Sequence, residues 1–255
     1  MIITSSNNEK YKYFKNLKSK KFRTEEYTVE GKKSVSEALS SERTVTAIIV
    51  SDSFVANEGF TPPSDIPLYQ LPDKLFAGLS STDTPPGIIC TIKIEKNKVF
   101  TPKPDGLYIY LDHISDPGNM GTIIRTADAA GFNGVLISPG SVELYNPKTV
   151  RSSMGSFFRM DITENVDCEK LEDLKNKGFK LFSGVLNDKT VDYTTADMTG
   201  GTVIVIGNES NGVSDRVIEI SDQCIKIPIV GGAESLNAAI AAAVIMYEAV
   251  KQRSR

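Results

Sequence analysis

With a single histidine, His113, and three widely separated cysteines, Cys90, Cys168 and Cys224, the chain is poor in the groups that build disulfide frameworks and zinc centres. Neither is expected, and Cys90 and Cys224 read as small apolar residues within strands. No apolar run approaches the roughly 20 residues that a membrane helix needs. The opening stretch MIITSSNNEKYKYFKNLKSKK lacks the apolar core of a signal peptide, so a cytoplasmic protein is expected. Phosphate loops are missing too: the chain has no GxxxxGK followed by Ser or Thr, and no GxGxxG at a strand-to-helix turn. Nucleotide hydrolysis and nicotinamide chemistry lose their usual support. No Ser-His-Asp set carries a local signature and no cysteine stands beside a basic partner, which leaves covalent catalysis without a nucleophile.

What is present is enough chain, 255 residues with 40% hydrophobic content, for one large or two modest cores. The net charge of -3 argues globally against a polyanionic partner, but the charge is unevenly spread. Residues 1–33 hold nine lysines and arginines against four glutamates, a local +5, interleaved with Tyr11, Tyr13, Phe14 and Phe22. Cations among aromatics suit a phosphate backbone and unstacked bases. A solvated amphipathic helix would produce the same pattern.

Two domains follow from the alternation of patterns. Residues 1–24 form the basic arm. Residues 25–97 read strand YTVEG, helix KKSVSEALSS, strand TAIIVS, helix PDKLFAGLSS and strand GIICTIKIE, a small α/β domain. A linker at 98–105 contains Pro102 and Pro104, which favour an extended spacer. From 106 to 255 the chain alternates again, opening on the apolar strand LYIYL, and an α/β fold with a mostly parallel sheet and helices on both faces is expected. Asn119 is placed to start a helix that Gly131 stops.

In such sheets ligands collect at the carboxyl ends of strands. Three glycine-bearing loops fall there, DPGNMGTIIR, IGNESNG and IPIVGGAESLN, and their polar set is Asn119, Arg125, Asn208, Glu209, Ser235 and Asn237. Such a set suits positioning and electrostatics. The last loop leads into an Ala-rich helix that Ser235 can cap, with Leu236, Ile240, Ala243, Val244 and Tyr247 at the spacing of one face, expected to anchor it in a core.

In order and spacing, DPGNMGTIIRTADAAGF, VIGNESNG and IPIVGGAESLNAAIAAAVIMYE resemble the three motifs of the SpoU/TrmH family of RNA ribose 2'-O-methyltransferases. NPKTVRSSMGSFFR resembles that family's middle segment, and the similarity spans residues 107–250. The N-terminal YTVEGKKSVSEAL and TPPGIICTIK resemble the substrate-binding domain that many members carry. Ser210 stands where many members have glycine. The resemblance implies a C-terminal trefoil knot, S-adenosylmethionine as methyl donor, and a homodimer whose active site draws on both subunits. It further implies a structured RNA substrate; ribosomal RNA is expected ahead of transfer RNA because the N-terminal domain and basic arm suit a large folded target, and composition leads to the expectation of no membrane and no metal. A catalytically weak RNA-binding or assembly module of the same fold is the alternative. Carried onto this sequence, it puts Asn119, Arg125, Glu209, Ser235 and Asn237 in the catalytic site, and Gly207, Ile227, Ile229 and Leu236 around the cofactor.

Methyl transfer from a sulfonium to a ribose hydroxyl asks for in-line positioning and for help with the hydroxyl proton. A guanidinium stays protonated, so Arg125 reads as a stabiliser of the developing alkoxide rather than as a base. Each residue also has a plainer reading. Arg125 can pair with Asp128 three residues on, Glu209 and Asn208 can be turn residues, and Ser235 and Asn237 can be helix caps. His113, with no partner visible in the sequence, reads as structural.

Overall fold

The structure, a computed structural model, describes residues 1–58, 60–95, 100–186 and 190–254. The chain packs as two compact units, Met1–Asn97 with Tyr145–Phe158, and Lys98–Leu144 with Arg159–Arg255.

In the first unit, Asn8 caps helix α1 (Glu9–Asn16) by accepting from the backbone of Lys10 and Tyr11. Its apolar side buries Tyr11 and Phe14 with Ile3, Tyr69, Leu71 and Phe76. Two of the four aromatics expected to be free for stacking on bases are therefore core residues, while Tyr13 and Phe22 remain exposed. Strand β1 (Glu26–Glu30), helix α2 (Lys32–Leu39), strand β2 (Val45–Ser51), helix α3 (Asp52–Glu58), strand β3 (Leu68–Leu71), helix α4 (Asp73–Leu79) and strand β4 (Ile88–Lys93) follow. They build a sheet of order β1-β4-β2-β3, antiparallel except for the β2–β3 pair. Helix α3 and strand β3 are additions to the elements read from the sequence. Cys90 is buried on β4, as read. Of the expected linker, Lys98 and Val99 lie outside the described residues.

The second unit opens with strand β5 (Leu107–Leu111), whose five residues are all buried, as a strand covered on both faces requires. Helix α5 (Pro117–Ala129) and strand β6 (Gly134–Ile137) come next. The cap of α5 is Asp116, which accepts from the Asn119 backbone, with Pro117 at the first helical position. Asn119 thus sits inside the first turn rather than starting the helix. Gly131 ends it at a positive φ of 71°, where a side chain would be strained.

Helices α6 (Pro147–Ser152) and α7 (Ser156–Arg159) follow, and Tyr145–Phe158 packs with the first unit, not with the sheet that precedes it in sequence. The rings of Tyr145 and Phe157 lie 4.8 and 5.7 Å from that of Tyr27 on β1. Strand β7 (Ile162–Thr163), helix α8 (Cys168–Asn176), strands β8 (Lys180–Gly184), β9 (Val191–Asp192) and β10 (Thr202–Ile206), helix α9 (Asp215–Ile220), strand β11 (Gln223–Lys226) and helix α10 (Ala238–Arg253) complete the chain. The sheet order is β7-β6-β5-β10-β8-β11-β9, and every pair is parallel. This is the parallel α/β sheet that the alternation predicts. Tyr108, Tyr110, Leu136, Leu181, Val203 and Val205 pack one face against Leu171 and Leu174 of α8 and Val217 of α9. Among the described residues, no helix is long and apolar enough to cross a membrane.

Candidate active site at the strand ends

Strands β5 and β10 are neighbours in register, so the loops that follow Leu111 and Ile206 emerge side by side at one edge. The β10 loop is tightly folded. Asn208 and Gly212 exchange backbone hydrogen bonds at 2.9 Å, and a Cβ on Gly207 would fall 2.2 Å from the backbone of Gly212 and Val213. Only glycine fits at 207. Asn208 Oδ1 accepts from the backbone of Ser210 and Asn211, and its Nδ2 donates to the His113 carbonyl, which ties the two loops together. Ser210 is accommodated in this turn as an exposed residue.

Glu209 reaches from this loop to the start of α5. Its carboxylate accepts from Ser115 N and Oγ, from Asp116 N, and from Asn119 Nδ2 at 2.8 Å. Partial burial pushes the carboxyl pKa up, but hydrogen bonds from Asn119 and from the Ser115 side chain and backbone outweigh it and hold the value at about 2. The group is an anion whose acceptor sites are largely occupied. Asn119 passes the connection on, its Oδ1 accepting from Asn237 Nδ2 at 2.9 Å. Asn237 Oδ1 caps α10 by accepting from Ala239 and Ile240. A single line, Glu209–Asn119–Asn237, joins the β10 loop, the first turn of α5 and the first turn of α10.

Arg125 stands apart from this line. It lies six residues beyond Asn119 on α5, about 9 Å along the axis and about 120° around it. It is exposed and makes no hydrogen bond or ion pair with any described residue. The plainer reading of Arg125 fails, because Asp128 is taken by Arg159, whose Nε and Nη2 donate to it at 3.0 and 2.7 Å.

Ile227, Ile229, Ser235 and Leu236 lie in the irregular stretch of residues 227–236 between β11 and α10. Ile227 and Ile229 are half-buried, Ser235 and Leu236 exposed. The helix cap is Asn237, two residues beyond the expected Ser235. The backbone of residues 227–236 makes no hydrogen bond with any described residue. Ile227 and Ile229 stand at the start of this stretch, and its main chain is where a cofactor could be held by backbone amides and carbonyls beside apolar side chains.

Helix α10 overturns one expectation. Its buried side is Ala238, Ala239, Ala242, Ile245, Met246, Glu248 and Ala249. The face expected in the core points outward instead, with Leu236 at 39%, Ile240 at 53% and Tyr247 at 51% exposure, and Ala243 and Val244 half-buried. The helix is apolar nearly all round, and the sequence spacing alone does not say which side the sheet takes.

Sequence reasoning also missed a residue. Asp112, 1% exposed, bonds His113 Nδ1 through Oδ1 at 2.8 Å and accepts from Ser214 N through Oδ2 at 2.7 Å. The signal was present as a carboxylate at the end of a wholly apolar strand, where burial demands partners.

The SpoU rRNA methylase family model matches residues 106–247, and the MRM3-like substrate binding domain matches residues 8–90. The chain is 34% identical over 251 residues to the 23S rRNA (guanosine(2553)-2'-O)-methyltransferase RlmP of Bacillus subtilis (strain 168), covering 96% of this chain and 97% of that one. It is 33% identical over 190 residues to a 23S rRNA (uridine(2479)-2'-O)-methyltransferase of Streptomyces viridochromogenes, covering 71% and 66% of the two chains. Among solved structures, the AdoMet-bound rRNA methyltransferase from Sinorhizobium meliloti superposes with a TM-score of 0.87 at 28% identity, over 98% of this chain and 97% of that one.

Proposed function

The chain belongs to the SpoU rRNA methylase family, and on that premise we propose that it transfers a methyl group from S-adenosylmethionine to a ribose 2'-hydroxyl of 23S ribosomal RNA. The observation that carries the reading is the line Glu209–Asn119–Asn237, which gathers the three motif loops at one edge of the parallel sheet. Ribosomal RNA is favoured by the likeness to the Bacillus subtilis enzyme over nearly the whole chain, substrate-binding part included. The cytoplasm is the matching compartment.

Gly207, Ile227, Ile229 and Leu236 would hold the cofactor, which supplies an electrophilic methyl on a sulfonium. The protein's own work is then alignment and charge. Glu209, fully ionised, fixes Asn119 and the backbone at Ser115 and Asp116, so the α5 turn keeps its shape when RNA arrives. Asn119, Asn237 and Ser235 present amide and hydroxyl groups to the acceptor ribose. Arg125 would stabilise the negative charge that develops on the ribose oxygen as its proton passes to solvent water and the bond to the methyl group forms.

That last role requires a second copy of the chain. Within one chain Arg125 is exposed, bonds to nothing described and sits about 120° around α5 from Asn119, and Leu236 with Ile240 and Tyr247 of α10 is left uncovered. A homodimer that covers this apolar face and brings one subunit's Arg125 to its partner's polar line accounts for both observations. The trefoil knot belongs to the same reading. It is supported by the sheet order, in which β10 enters between β5 and the earlier β8.

Incubation with S-adenosylmethionine and unmodified 23S rRNA, followed by mass-spectrometric mapping, is expected to show one new ribose methyl. Cofactor binding by calorimetry without any methyl gained by the RNA would overturn the substrate assignment.

A further inference from the structure

His113 is the second residue past β5, two before the Ser115 that Glu209 grips. Five features fix it. Its φ of 57° is the left-handed conformation, uncommon for a residue with a side chain. Its N–H donates to Ser138 Oγ at 2.8 Å, and its carbonyl accepts from Asn208 Nδ2 at 2.8 Å. Nδ1 is bonded to the buried Asp112 carboxylate. The ring rests on Gly140, where a Cβ would come within 3.1 Å of Cδ2. Nevertheless the side chain is 55% exposed, and Nε2 has no partner among the described residues. An imidazole this constrained, with one nitrogen held by a buried carboxylate and the other offered to solvent, is oriented as a binding group is.

We infer that His113 is an RNA-contacting residue, its Nε2 bonding the sugar-phosphate backbone of a nucleotide next to the methylated one. This rests on the methyltransferase reading above. The ring lies over the β6 loop at Gly140, whereas the polar line runs from the β10 loop to α10, on the other side of β5. That displacement favours a neighbouring nucleotide over the acceptor hydroxyl itself, and so a contact over proton removal. With Asp112 accepting from Nδ1–H, neutral imidazole offers a lone pair at Nε2 to a ribose hydroxyl, and imidazolium offers N–H to a phosphate. The charged groups that hydrogen bonds tie to this part of the loop include Asp112, directly bonded, and Glu209, bonded at Ser115; Asp116 follows in the same loop, and Glu143 lies next to Val142, whose N–H donates to the Ile114 carbonyl.

His113→Asn tests the inference, since asparagine tolerates the left-handed conformation and shortens the side chain. With the full-length protein and unmodified 23S rRNA, KM for RNA is expected to rise about 3- to 10-fold, the size of one hydrogen bond. Turnover at saturation, S-adenosylmethionine affinity and melting temperature are expected to stay within about twofold or a degree or two. A reduced salt slope of RNA binding assigns the contact to a phosphate, and an unchanged slope with weaker binding assigns it to a ribose hydroxyl. An unchanged KM overturns the inference. So does a fall in turnover alone, which would make the imidazole a base, or a joint loss of cofactor affinity and melting temperature, which would make the Asp112 pair structural. Wild-type protein that methylates no RNA fails the underlying reading instead, so the two failures are told apart.

Discussion

Two charged residues of the candidate site, Glu209 and Arg125, are treated in opposite ways by the same fold. Glu209 accepts four hydrogen bonds from three residues and is held at a pKa of about 2, so its geometry is complete within one chain. Arg125, on the same helix as Asn119, one of those donors, is exposed and bonded to nothing described. An anion that shapes a site must be satisfied before the substrate arrives. A cation that acts on charge appearing during the reaction is best left unneutralised, because a standing salt bridge would spend its field on a ground-state partner.

The contrast can be broken most forcefully at Arg125. Replacing it in Arg125→Ala is expected to lower methyl transfer by on the order of 10²- to 10³-fold while calorimetric S-adenosylmethionine affinity stays within about twofold. Turnover close to wild type would remove it from the site. Next in size is the double change Ile240→Asp with Tyr247→Asp on the outer face of α10. Light scattering is expected to show a dimer become a monomer, with methyl transfer falling about as far as for Arg125→Ala, since each subunit then lacks the other's guanidinium. A monomeric wild-type protein would refute the shared site outright.

Glu209→Gln has the smallest expected effect and sharpens the other half of the contrast. Folding stability should drop by about 1 kcal/mol at neutral pH, the carboxylate's exposure keeping the loss at the low end for charged hydrogen bonds. The sign of the pH dependence follows from a folded-state pKa lowered from 4.5 to about 2. The carboxylate's contribution is fully present above pH 4.5 and disappears as pH falls toward 2. Denaturation midpoints of wild type and variant should therefore converge in that window. Parallel curves from pH 5 down to 2 would show that the hydrogen bonds to Glu209 do not favour its ionised form.

The parallel sheet was legible because β5 and β10 are unbroken apolar runs between glycine-bearing loops, a pattern that a two-sided burial imposes. The outward face of α10 was not. Leu236, Ile240, Val244 and Tyr247 recur at helical spacing, but so do Ala239, Ala242, Ile245, Met246 and Ala249, and the smaller set packs closer to the sheet. Glu209, Asn119 and Asn237 were legible as a set through the family resemblance, whereas their order of bonding depends on the register of β5 against β10. The pairing of Asp112 with His113 escaped because adjacent residues in an extended chain usually face opposite ways. The left-handed φ of 57° at His113 breaks that extended alternation, and the ring meets its neighbour. The role of Tyr145–Phe158 was hidden because sequence position places it in the second half, whereas contacts such as the rings on Tyr27 and the Arg151–Ser81 hydrogen bond place it in the first unit.

Those ring contacts bear on how this enzyme can be re-engineered. A recognition module joined by one tether can be exchanged at that tether, but here the chain crosses between the two units at three points, near residues 97, 144 and 158. A transplant cut only at the proline-containing linker would leave β1 of the donor without the aromatic cover of its Tyr27, and would strand Tyr145 and Phe157 in the recipient. A chimera that retargets the methyl group to another RNA must therefore carry the 14-residue excursion along with its own sheet.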